Sequence, residues 1–493
     1  MREPTPKRST YELSYPFVRG AATEAGPAHG IGDAVDASVA QRRDLGRARR
    51  SVMPRSALAE SFAPQNRPDP VDLLESQAAS RIADLLPVRY GRMLPSRFAF
   101  FRGAALLMAS DLASAPHTGL TAQLCGDAHV SNFGLFASPE RSLVFDVNDF
   151  DETLPGPWEW DVKRLAASVA IVAQENGFDR EERERVLRAC AQAYRDRMRT
   201  LATMGELDVW YDHIVVNDAL EADVDHTYGQ AIRRTAAKAH TRDNLQALSK
   251  LTRVVDGRRR LASDPPLLIP IEELVGEAQA RLYEQQMSDL VDQYRQSLDA
   301  SRRELVDRYR YAGGARKVVG VGSVGTRAWV VLLLGRDDSD PLLMQVKEAE
   351  PSVLERYLGA CGYANAAERV VQGERLMQAS SDILLGWLRG VGPDGHEGDY
   401  YVRQLRDWKE SVSVESMSPQ LLADYGRSCA HVLARAHARS GDRIAIAGYL
   451  GSGEAADIAF TRFAEAYARQ NDRDYAALSD AVAIGRVAAK PGL

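Results

Sequence analysis

Residues 125–152, CGDAHVSNFGLFASPERSLVFDVNDFDE, hold the densest chemistry in the chain and set its fold class. Two short apolar runs, 133–137 and 143–147, flank the turn-forming segment SPERS, a pattern that predicts a β-hairpin. Around that hairpin stand Asp127, His129, Asn132, Asp146, Asn148, Asp149, Asp151 and Glu152. Carboxylates this crowded repel or desolvate one another unless a cation or hydrogen-bond donors compensate. The interleaved Phe133, Phe136, Phe145, Phe150, Trp158 and Trp160 keep the cluster out of open water, which weakens the reading of a solvated acidic loop.

Phosphoryl transfer needs an aspartate that accepts or orients the substrate hydroxyl. It also needs a carboxylate and an amide oxygen to hold magnesium on the nucleotide phosphates. Asp127, Asn132 and an aspartate ending the next strand supply that set at one mouth of the hairpin. Upstream, residues 98–113 read as one buried helix, and helix resumes at about Trp160. Helical patterns also cover about 180–204 and 271–310 and are expected to build the pocket for the acceptor.

At Lys317 the pattern turns to β: KVVGVGSVGTRAWVVLLLG, a turn at 336–340, then Pro341 to Lys347. Gly320, Gly322 and Gly325 form a G-x-G-x-x-G. A dinucleotide-binding domain would follow that motif with a helix, whereas here a strand-like run follows. A kinase instead places its glycine loop between antiparallel strands and a lysine on the third, which makes Lys347 the candidate for gripping the nucleotide phosphates. On a helix over about 366–378, Glu374 shares the apolar face with Val370, Val371 and Met377. It is therefore the expected partner of Lys347, with Glu368 as the alternative.

Residues 126–132, GDAHVSN, resemble the G-D-x-H-x-x-N loop of aminoglycoside and choline phosphotransferases. Residues 143–146 are similar to the metal-binding strand end of those enzymes, and WDVKRL at 160–165 to their D-L-A helix start. The resemblance implies ATP and Mg2+ as cofactors, Asp127 as catalytic base with His129 in the catalytic set, and Asn132 as a magnesium ligand. Asp146 and Asp149 both fit as the second ligand. More closely, residues 125–152 resemble an uncharacterised bacterial family, domain of unknown function number twenty-two fifty-two, with a likeness running from about Val88 to Ala476. That family implies no substrate.

Ordinary kinases encode the glycine loop first, but here Asp127 precedes Gly320 by about 190 residues. We therefore expect an α+β, protein-kinase-like bilobal fold that is circularly permuted, which close termini make tolerable. The expected parts are a loosely ordered arm over 1–70, a helical lobe with the catalytic loop over 71–312, a small β-rich nucleotide lobe over 313–410, and completing helices over 411–493. Residues 400–406 are expected as the hinge. The helix over 421–439 should end near Leu120, with His431 and His437 as packing residues.

The 493 residues carry a net charge of −6 and no basic block longer than GRRR at 257–260, which argues against nucleic acid as a partner. Four cysteines without metal-ligand spacing fit reduced thiols in the cytoplasm. No membrane span or secretory signal is legible. The expected function is an ATP-dependent phosphotransferase acting on a small-molecule acceptor. The alternatives are a nucleotidyltransferase, a nucleotide-binding pseudokinase, and a metal-dependent hydrolase built on Asp127, His129, Asp146 and Asp149.

Overall fold

The apolar run at residues 329–334 becomes a strand, β10 (Ala328–Leu334), that is covered on both faces. Val330, Leu332 and Leu334 pack with Leu248 and Leu343 on one side; Val331 and Leu333 pack with Tyr294, Met344 and Val402 on the other. In the computed structural model, which describes residues 37–60, 67–216, 226–241, 244–255, 258–405, 408 and 412–492, β10 lies inside a six-stranded antiparallel sheet. The order is β12 (Gly386–Val391), β13 (Glu397–Gln404), β11 (Pro341–Ala349), β10, β9 (Arg310–Lys317), β8 (Leu268–Pro270).

Alternation gives this sheet two different sides. Lys347 pairs in register with Ala328 and Tyr401, and Gln345 with Val330 and Arg403, so these residues share one face. Met344 and Val346 fall on the other, in register with Val331 and Trp329. Helix α6 (Glu277–Gln296) packs on that apolar side through Tyr294.

The hairpin forms as the sequence predicts: β2 (Phe133–Ala137) pairs with β3 (Leu143–Val147) from Phe133 opposite Val147 to Ala137 opposite Leu143. The short β5 (Ile214–Val215) extends it. Strand β1 (Thr121–Leu124) pairs with β4 (Leu154–Pro157), tying together the two ends of the segment that carries the acidic cluster. A separate ribbon joins β6 (Thr252–Val255) to β7 (Arg258–Leu261). Behind the hairpin, α4 (Glu159–Glu175) is buried over most of its length. It is enclosed by α5 (Arg180–Leu201), α8 (Pro419–Ser440) and α10 (Ala455–Ala483).

Several boundaries differ from expectation. Residues 98–113 are not one helix: α2 (Arg97–Arg102) and α3 (Ala105–Ala113) are parted at Gly103, where a Cβ would lie 2.8 Å from the Met93 sulfur. The expected helix over 271–310 is three, Ile271–Val275, α6 and Ala300–Val306, and β9 already begins at Arg310. Gly314 hides this strand in the sequence, because Ile271 packs where its side chain would be. Within the expected loose arm, α1 (Val39–Val52) is a capped helix lying on α9 (Arg443–Leu450). Residues 1–36 and 61–66 of that arm, and Arg406 of the expected hinge, lie outside the described residues. Among the described residues no helix is long and apolar enough to cross a membrane.

Candidate active-site cleft

The loop after β1 has a shape that only glycine permits at its turn. Gly126 has φ +83°, and a Cβ there would lie 2.1 Å from the Glu152 carbonyl oxygen. Asp161, in the first turn of α4, accepts from the amides of Cys125 (2.8 Å) and Gly126 (3.1 Å), and lies 3.3 Å from His437 Nε2. Ser168 receives the amide of Val130, and the Tyr425 hydroxyl donates to the Val130 carbonyl. The loop carrying Asp127 is thus fixed from beneath by helices distant in sequence.

Asp127 Oδ1 accepts from Arg164 Nε at 2.8 Å, and Arg164 also donates to the Phe101 carbonyl at 2.7 Å. Burial pushes the Asp127 carboxyl up to about 6 against the pull of Arg164. His129 lies 3.7 Å from Asp127, and burial, aided by Arg102 and Arg164, pushes its pKa well down, so it is neutral. Asn132 Nδ2 donates to the Asp127 carbonyl at 2.6 Å, which leaves the side-chain oxygen as the free end of that amide.

The two candidate metal aspartates go to different places. Asp146 is buried against Arg435 at 2.5 Å and accepts from the amides of Val147 (2.8 Å) and Ala379 (3.2 Å). Asp149 lines the cleft with Asp127, His129 and Asn132. Next to it, Asp151 is a junction: it binds the Lys347 ammonium, the Tyr401 hydroxyl at 2.8 Å and the Ser323 hydroxyl at 3.2 Å. Burial alone would lower the Lys347 pKa, but Asp149, Asp151 and Tyr401 together hold it raised. Burial lifts the Glu152 carboxyl to about 7, opposed by the Val353 amide.

Glu374 is fully buried as expected, yet its carboxylate lies 3.8 Å from Arg403, while the ammonium of Lys347 goes to Asp151. The register explains the difference, since Arg403 stands opposite Gln345, two residues along β11 from Lys347. What α7 (Ala366–Met377) sends to the acidic segment is Arg369, which donates to the carbonyls of Thr153, Asp151 and Glu350 at 2.6–2.8 Å.

The glycine loop lies between the antiparallel β9 and β10 and reaches the same cleft through Gly320, Val321, Gly322 and Ser323. Arg92 donates to the carbonyl of Gly320 at 2.7 Å, and Arg81 to those of Gly322 (2.8 Å) and Val324 (2.5 Å). The amides of residues 320–323 make no hydrogen bond with any described residue. Successive backbone amides that converge from a turn can form an anion-binding concavity. Gly320 (φ +67°) and Gly325 (φ +93°) adopt left-handed conformations, and Gly325 packs on Arg81 away from the cleft.

The cavity so bounded has a volume of about 80 Å3. Its lining contains none of the helices over 180–310 that were expected to form the acceptor pocket. Among the described residues no three His, Cys, Asp or Glu side chains converge to hold an ion unaided. Mg2+ does not ask for that, since it is held by one or two carboxylates, waters and substrate phosphates. Asp149 and the oxygen of Asn132 are hard donors that fit it.

A family model described as "uncharacterized protein conserved in bacteria" (DUF2252) matches residues 81–481. No curated protein and no solved structure matches the chain.

Proposed function

The chain belongs to that uncharacterized bacterial family, and from this premise and the contents of the cleft we propose an ATP- and Mg2+-dependent phosphotransferase of permuted, kinase-like architecture. One observation carries the reading. Asp127 and the glycine loop, about 190 residues apart, line one cavity, and Lys347 reaches that cavity's edge through Asp151.

In this reading the amides of residues 320–323 cradle the terminal phosphates, and Lys347 adds its positive charge there. Asn132 and Asp149 would hold Mg2+, which when bound neutralises charge on the phosphate oxygens. Asp127 takes the proton from an acceptor hydroxyl as that oxygen bonds to the terminal phosphorus. The bond from phosphorus to the bridging oxygen breaks, and ADP leaves with the electron pair. A cavity of about 80 Å3 takes a phosphate group rather than a nucleoside, so nucleotide entry exchanges the contacts of Ser323 and Lys347 with Asp151 for contacts with phosphate. A small-molecule acceptor is the expected substrate. The hydrolase alternative is weaker, because it needs Asp146, which Arg435 occupies.

The test compares purified wild type with Asp127→Asn. ADP release from MgATP over a panel of small alcohol and amino-alcohol acceptors should disappear in the variant, while calorimetry still registers binding of a non-hydrolysable ATP analogue. Equal turnover in both proteins, or a wild type that binds no nucleotide, would overturn the reading.

A further inference from the structure

Four arginines around the cleft have acceptors: Arg164 on Asp127 and the Phe101 carbonyl, Arg81 on the glycine loop, Arg369 on three carbonyls, Arg435 on Asp146, although Nε of Arg81 and Arg369 and one Nη of Arg435 stay without one. Arg102 is the exception. It ends α2, lines the cleft beside Asp127, Asp149 and Gly322, and its guanidinium makes no hydrogen bond or ion pair with any described residue. Its Nε is buried with no acceptor. Burial lowers its pKa, opposed by the charges of Asp127, Glu415 and Asp149 from a distance.

Arg102 is half-buried, its outer guanidinium nitrogens are not tied to the protein, and the planar fork they form matches the oxygens of a phosphate. The neighbouring charges leave room for such an anion: Lys347 balances Asp151, Arg164 balances Asp127, and Asp149 is left for the cation. The Arg102 carbonyl would lie 3.2 Å from a Cβ on Gly322, so the residue abuts the glycine loop directly.

We propose that Arg102 is the seat of a phosphate-type anion, bound between Asp127 and the glycine loop and completing a guanidinium that the protein leaves unpaired. Identifying that anion as the terminal phosphate of ATP rests on the transferase reading; the anion seat does not. Arg102 then touches the transferring group and stabilises the charge on its oxygens as the bond to the leaving ADP breaks.

Wild type, Arg102→Met and Arg102→Lys separate the two claims. With Mg2+ and the β,γ-methylene analogue of ATP, Arg102→Met should bind about 10- to 100-fold more weakly, as the loss of a charge-assisted bidentate contact implies. ADP should bind all three proteins equally, and Arg102→Lys should recover part of the loss. Thermal stability of Arg102→Met should match or exceed that of wild type, since no protein contact is removed. A marked fall would make Arg102 structural and overturn the proposal. If wild type binds neither nucleotide, the transferase reading fails alone, and inorganic phosphate with Mg2+ still decides the seat. Stabilisation of wild type but not of Arg102→Met supports it; equal responses, or none, refute it.

Discussion

Asp146 and Asp149 lie three residues apart on one hairpin, yet they belong to two different populations of charge. Asp146, like Asp161, is embedded among donors: a guanidinium and two amides for the first, two amides and a histidine for the second. Asp149, Asn132 and Arg102 face a shared hollow with hydrogen-bonding capacity left open. The difference teaches that saturation, more than residue type or proximity in sequence, divides structural charge from chemical charge. On the proposed reading, a buried ion paired within the protein holds the fold, and one that faces the cavity with capacity left open is where a ligand binds.

The division breaks most sharply at Asp127, where Asp127→Asn should cut turnover by about 10^2- to 10^4-fold, the range for a lost general base, with a loss of stability as well because Arg164 is left beside a neutral partner. Asp146→Asn should act on stability alone. Leaving Arg435 buried without its countercharge should cost about 3–5 kcal/mol in urea unfolding, while activity per folded molecule persists. Lys347→Met should weaken ATP-analogue binding about 10-fold by calorimetry, since a charge-assisted contact is worth roughly 1.5–3 kcal/mol. A loss of fold without loss of affinity would move Lys347 to the structural population.

The smallest effect belongs to Lys163, a core charge on α4 that sits 4.6 Å over the Phe463 ring and whose pKa burial pushes down to about 8. Its folded value lies below the unfolded value of 10.5, so the unfolded chain binds more protons between those limits. Stability should therefore rise with pH from about 8 to 10.5. Lys163→Met should flatten that rise in pH-dependent denaturation, and an unchanged slope would assign it to other groups.

Local pattern made the hairpin, the helix α7 and the strands β10 and β11 that follow the glycine loop legible, because each rests on a period of two or 3.6 that the residues themselves display. The burial of Glu374 was legible for the same reason. Its neighbour was not, since that depends on which residue of β13 stands beside Gln345, a long-range register. Arg81, Arg92, Arg102 and Arg369 carry no motif and act through the backbone or through a void, so single-sequence reasoning had no signal for them. Asp151 stood in the acidic cluster from the outset, but only folding shows that it joins Lys347 to the glycine loop. Helix α1 escaped because it has no apolar stripe. Gly46 and Gly448 let it press on α9, where added Cβ atoms would come within 1.9 Å and 2.5 Å of opposing carbonyl oxygens.

That helical crossing has a practical corollary. Arg50 and Arg55 donate to the carbonyls of Gly448, Tyr449 and Leu450, the exposed acceptor end that any α-helix leaves bare. Residues far upstream of the family match at 81 therefore act as the terminal cap of a helix near the opposite end of the chain. A fragment trimmed to the family boundary would lose that cap and uncover a glycine-lined groove made to receive backbone.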